Sequence, residues 1–185
     1  MVCGESEEEV PMADGFTIAT FRHVADGPQE GQFAVGERKK AASLADLDPI
    51  YRDLLDRPIT VTLAVIGPDG RPGLTPMWFD HDGDTILVNT ATHRPKCGWI
   101  RKNPQLTILI VNPDNPYHWV SIKCTVVNEV PEEGPDGKRV TAQLNRIWRK
   151  YTGDQGEYGL RDPVIEEKRV LFECRIDRIA TFGKP

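Results

Sequence analysis

Arg94 and Lys96, in the stretch HRPKCGWIRKNP, set a guanidinium and an ammonium one proline apart at the start of a helical pattern. The first turn of a helix offers unpaired backbone N–H groups and the positive end of the dipole, so an anion is favoured there. Arg adds a planar fork and Lys a point charge. Thr90 and Thr92 place hydroxyls just upstream, and His93 adjoins as a phosphate ligand or a helix cap. A solvated basic face has the same composition, so two readings stand: an anion site and plain surface. The chain has no catalytic triad, metal finger or Gly-rich phosphate loop to supply another chemistry, and no catalytic side chain is assigned.

The segment TPMWF, Thr75 to Phe79, reads as a strand beside that site. Pro76 cannot donate to a ladder, which suits an edge or a place where a ligand meets the backbone. Met77 and Trp78 then point to opposite faces, one toward a pocket and one toward the core. Core packing explains both equally well.

Composition narrows the partners. The 185 residues suit one domain with a full core, at 39% hydrophobic and 28% charged. A net charge of -5 argues against generic nucleic-acid or anionic-membrane binding. No apolar run reaches the roughly 20 residues of a membrane helix. The start MVCGESEEEVPM lacks the basic and apolar regions of a secretory signal, so a reduced, cytoplasmic protein is expected. Cys3, Cys97, Cys124 and Cys174 lack metal-ligand spacing and read as small buried hydrophobes, so no metal is expected. Of the histidines, His81 is expected in a solvated turn and His118 in packing at the start of a strand, with a metal or haem ligand as the alternative.

The elements that must position these residues follow from pattern. Residues 1–42 show no sustained period and read as a partly disordered extension, leaving 43–185 as the domain. ADLDPIYRDLLDRP is a short helix capped by Asp48, with Ile50, Tyr51, Leu54 and Leu55 on its apolar face. ITVTLAVIG, LTPMWFD and TILVNT form a meander joined by turns at GPDGRPG and HDGD. The helix from Pro95 stops at Asn103-Pro104. QLTILIVN reads as a central strand and YHWVSIKCTVVNEV as a long one. A second long helix presents Val140, Leu144, Ile147, Trp148 and Tyr151 and closes at Gly153. The last strand buries Val170, Phe172, Cys174 and Ile176. The expected fold is mainly β: a six-stranded antiparallel barrel with helices packed at its ends.

In order and spacing these parts resemble the split β-barrel flavin and deazaflavin oxidoreductase superfamily, which includes pyridoxamine 5'-phosphate oxidase. The carriers are the run from TLAVIGPDGRPG to VSIKCTV, the RKYTGD helix end and the KRVLFECRI strand. The resemblance implies an FMN-binding-like split barrel, with the cofactor in a groove between the two subunits of a homodimer. It implies that Arg94 and Lys96 grip the cofactor phosphate and that Thr75, Pro76, Met77 and Trp78 meet its ring system. Asn89 and Thr90 match the strand before the phosphate grip, and Tyr117 and Trp119 match aromatics lent across the dimer. It further implies an oxidoreductase moving a hydride between deazaflavin F-420, or FMN, and a small organic substrate. An FMN enzyme resembling pyridoxamine-phosphate oxidase, or a non-catalytic carrier of flavin, deazaflavin or haem, are the alternatives. For the acidic tail of F-420, Lys39, Lys40, Arg57 and Arg71 are the expected cations.

Overall fold

A computed structural model describes residues 43–183. The expected extension over 1–42, with Cys3, His23, Lys39 and Lys40, lies outside the described residues.

A 3-10 turn, Leu44–Asp46, leads into helix α1, Pro49–Asp56, where the Asp48 carboxylate accepts from the Ile50 amide at 3.1 Å. Strands β1, Val61–Ile66, and β2, Pro72–Met77, form a hairpin, and β3, Asp80–Asp82, pairs with β4, Thr85–Ala91. Helix α2 spans Pro95–Lys102, and β5, Gln105–Val111, and β6, Trp119–Pro131, follow it. Helix α3, Gly137–Thr152, ends at Gly153, whose φ of 76° is the left-handed cap a glycine supplies without strain. Strand β7, Arg169–Phe182, is last.

All seven strands join one antiparallel sheet in the order β2-β1-β5-β6-β7-β4-β3. Seven replaces the expected six because HDGD is not turn alone. The reversal is confined to Gly83 (φ 53°) and Asp84, so Asp80–Asp82 extend against Thr85–Leu87. His81 therefore stands in a strand, half-buried, with Nδ1 3.0 Å from the Gly83 carbonyl and its ring 5.9 Å from Phe79.

The sheet's two edges, β2 and β3, are consecutive in sequence, with only Trp78 and Phe79 between them. Two residues span roughly 10 Å at most. The sheet must therefore curl until its edges meet, giving a barrel that is split between β2 and β3. Register shifts at Lys123/Cys124 and Val126/Asn128 on β6 are bulges, which sharpen twist and help the curl.

Strand parity sets the core. Val61, Leu63 and Val65 of β1, Leu106, Ile108 and Ile110 of β5, and Val170, Phe172, Cys174 and Ile176 of β7 are all buried inside the curl. Helix α1 adds Tyr51, Leu54 and Leu55, and α2 adds Cys97 and Ile100. A smaller cluster, Leu87, Val130, Val140 and Leu171, lies where α3 covers the other face of β4, β6 and β7. Cys97, Cys124 and Cys174 are free and buried, as small hydrophobes should be.

Candidate functional site

Helix α2 lies along the inward face of β2, and the local chemistry explains why. Gly73, Thr75 and Met77 alternate inward on β2, while Lys96 and Trp99 share one face of α2 at a spacing of three. A Cβ on Gly73 would stand 2.8 Å from the Trp99 ring, so only glycine lets the indole reach the strand. One turn earlier, Lys96 Nζ donates to Thr75 Oγ1 at 3.5 Å.

Lys96 is buried, with 8% of its surface exposed. Among the described residues the Thr75 hydroxyl is its hydrogen-bond partner, and it forms no ion pair. Burial lowers its pKa, and the charges of Arg94 and Arg169 lower it further. Arg94, exposed, is the N-cap residue of α2 and makes no side-chain capping bond, so its side chain supplies no acceptor to the helix start. Thr90, on the core face of β4, is buried with its hydroxyl unpartnered among the described residues. A buried lysine with no carboxylate partner among the described residues, two arginines close enough to shift it and the Thr75 hydroxyl have the donor chemistry an anion requires, and Thr90 adds an unpartnered buried hydroxyl on β4. A phosphate-bearing group fits these residues.

Arg169 escaped the sequence reading. It opens β7 opposite Ala91 and is 5% exposed. Its guanidinium pairs with Glu167, lies 4.9 Å from the Tyr158 ring centroid and donates to the Tyr158 hydroxyl at 3.0 Å. The stretch 153–168 holds it there. Arg161 clamps Glu132, whose carboxylate is kept well below the usual range chiefly by that bond, and Glu132 also accepts from the Arg169 amide at 3.0 Å. An arginine that follows two glutamates and a lysine in EEKR carries no spacing signal, so only the tertiary arrangement reveals it.

The other expected residues divide between places. Pro76 sits on the exposed side of edge strand β2 and Met77 packs on the core. Trp78 leaves the strand and stacks on Tyr151 of α3, with centroids 4.9 Å apart and planes 12° apart, while Trp148 lies 6.1 Å away. Tyr151 is itself pinned, accepting from the Phe79 amide at 2.8 Å and donating to the Ile59 carbonyl at 2.6 Å. Asn89 faces α3 as well, donating to Gln143 Oε1 at 3.0 Å, so it stands on the opposite face of β4 from Thr90. Trp119 stacks on Phe182 of its own chain at 5.8 Å, and Tyr117 is 44% exposed. Of the expected tail cations, Arg57 is taken up by Asp114 at 2.8 Å and Asp53 at 3.8 Å, which removes it as a free cation, and Arg71 is exposed beside Asp69.

His118 is buried beside Tyr51, whose ring centroid is 5.3 Å away. Asn112 Oδ1 accepts from the Asp114 amide at 3.1 Å, so Asn112 Nδ2 must face His118 Nδ1, at 3.2 Å. Nδ1 is then the acceptor and Nε2 carries the proton, with no partner among the described residues. Burial is the main cause lowering the ring's pKa.

Among the described residues no group of His, Cys, Asp or Glu is placed to hold a metal, and no helix is long and apolar enough to cross a membrane. The family model of pyridoxamine 5'-phosphate oxidase matches residues 47–183. An F-420 reductase of known structure is similar at 28% identity and a TM-score of 0.60, covering 72% of this chain and 98% of that one. A conserved hypothetical protein from Mycobacterium tuberculosis is 25% identical with a TM-score of 0.52, over 78% of this chain and 89% of that one. A heme storage protein from Vibrio cholerae shares the fold at 14% identity and a TM-score of 0.53, over 72% and 92%. The matched span takes in every strand and every residue of the candidate anion site, and the chain belongs to the pyridoxamine 5'-phosphate oxidase family.

Proposed function

We propose that this chain is an oxidoreductase that holds a phosphate-bearing, flavin-type cofactor and moves a hydride between it and a small organic substrate. The observation that carries this reading is Lys96, a buried amine with a threonine hydroxyl for its partner and two arginines for its charged neighbours. Lys96 and Arg94 hold the phosphate, with Thr75 and Thr90 as hydroxyl donors. The segment Thr75 to Trp78 meets the ring system and Tyr117 and Trp119 complete the cofactor-binding set, while Asn89 faces α3 and braces the strand that carries Thr90. When bound, the cofactor supplies the hydride chemistry, and the chain supplies grip, orientation and exclusion of water. The Trp78–Tyr151 stack, braced by Trp148, makes a stiff apolar wall at the end of β2.

Deazaflavin F-420 is preferred to FMN. The similarity to an F-420 reductase over 98% of that chain supports the choice, as does the apolar side-chain run Met77-Trp78-Phe79. The working unit is a homodimer in the cytoplasm with its sites at the interface. Leu74, 65% exposed on the split edge, and Tyr117 supply apolar surface for it.

The test is the absorption spectrum of the purified protein, then titration with F-420 and FMN of wild type and Lys96→Ala. Saturable F-420 binding that the variant weakens is expected. Tight FMN binding with no F-420 binding would move the assignment to an FMN enzyme. Cofactor binding with no turnover of enones or quinones would make the protein a carrier. Binding of neither would overturn the reading.

A further inference from the structure

The chemistry around Lys96 poses a problem that a phosphate alone does not solve. An ammonium removed from water without a counter-ion is unfavourable, and a lysine, unlike an arginine, can relieve this by shedding its proton. The groups facing Lys96 are Thr75 of β2, Arg94 at the head of α2 and Arg169 at the head of β7. Glu167, the nearest acid to this group in sequence, is paired with Arg169. The hydrogen bond between Lys96 and Thr75 works with either charge state. An ammonium donates to the Thr75 oxygen, and a neutral amine accepts from the Thr75 hydroxyl.

We propose that the anion site is proton-linked: Lys96 is uncharged while Arg94 and Arg169 face it alone, and it takes up a proton when a phosphate-bearing ligand enters. This rests on the phosphate-site reading above. The direction of the shift on Lys96, downward from burial and from both arginines, agrees with it. A phosphate near Nζ reverses the balance, because an opposite charge within hydrogen-bonding distance favours the ammonium. Ligand affinity then falls as pH rises above the bound lysine's pKa. It also carries a proton cost that grows as pH rises between the empty and bound values.

Arg94 plays two opposed parts. It attracts the anion, and it also keeps Lys96 deprotonated. Removing it weakens binding and at the same time reduces the number of protons taken up, a pairing that a plain phosphate contact does not produce.

Calorimetric titration at about pH 9, in two buffers of different ionisation enthalpy, measures the protons taken up. An unperturbed lysine titrates near 10.4 and is already charged at that pH. A phosphate monoester, with a second pKa near 6, is fully ionised there. The probe is F-420 or FMN, whichever the first titration returns, paired with the same ring lacking phosphate. Net proton uptake is expected for the phosphate-bearing probe and none for its phosphate-free partner. Lys96→Arg should keep affinity within about ten-fold and abolish uptake, since a guanidinium stays charged. Arg94→Ala, an exposed substitution that leaves the fold intact, should lower uptake. Phosphate-dependent binding that Lys96→Ala weakens, but whose heat is the same in both buffers, would overturn the proton linkage and leave the site standing. If both probes bind alike and Lys96→Ala changes neither, the phosphate-site reading fails and the linkage falls with it.

Discussion

Lys96 and His118 are both buried bases with no ion-pair partner among the described residues, yet they answer to pH in different windows. A charge-assisted contact is worth roughly 1.5–3 kcal/mol, so Lys96→Ala should weaken cofactor binding about ten- to a hundred-fold without lowering Tm. The loss should vanish for a cofactor analogue lacking phosphate. His118 acts on stability instead. Its pKa is lowered from 6.5, so below about 6.5 the unfolded chain takes up a proton that the folded chain refuses. Stability is whole above that value and falls as pH drops toward the folded value. Thermal melts from about pH 8 to 5 should show wild-type Tm declining below about 6.5. His118→Gln should melt lower throughout but lose that slope, and a slope kept in the variant would assign the acid sensitivity elsewhere. Protonation would set an Nδ1 proton against the Asn112 amide, so the loop before Trp119 is where the strain would fall.

The elements hold the site through two contacts that substitution can test. Gly73→Ala must push the Trp99 indole off β2 and carry α2 with it, so cofactor affinity should fall along with Tm. Tyr151→Phe removes the hydroxyl that joins the Phe79 amide to the Ile59 carbonyl, at a cost of about 1–3 kcal/mol in denaturant unfolding. Much of this level was legible in the sequence. Asp48-Pro49 and Pro95 marked two helix starts because capping and a fixed φ are local properties. The alternation in β1 and β7 marked the core because side-chain parity is local too. Parity also bears on Asn89 and Thr90, since neighbours on a strand point to opposite faces and only one can look toward Lys96. What was not legible depends on residues distant in sequence. Arg169 is held by Tyr158 and Glu132 as well as Glu167, and no sequence spacing marks that set.

For the whole molecule, light scattering should give a dimer, and a monomer that binds cofactor with full affinity would sink the interface site. Leu74→Arg, an exposed substitution on β2, should weaken both dimer and cofactor binding. The split edge adds a constraint on how any second copy can attach. Residues 72, 74 and 76 share one side of β2, and prolines occupy two of those three positions. Prolines in a paired strand belong where the missing N–H would point away from the partner, so the outer margin of β2 keeps a single amide, that of Leu74. The other margin, β3, is three residues long. Neither margin can template an incoming strand, so the barrel resists edge-to-edge growth into fibres even with its seam open. Among the described residues, association between copies is thereby left to side-chain faces, and an isologous contact between such faces closes at two copies.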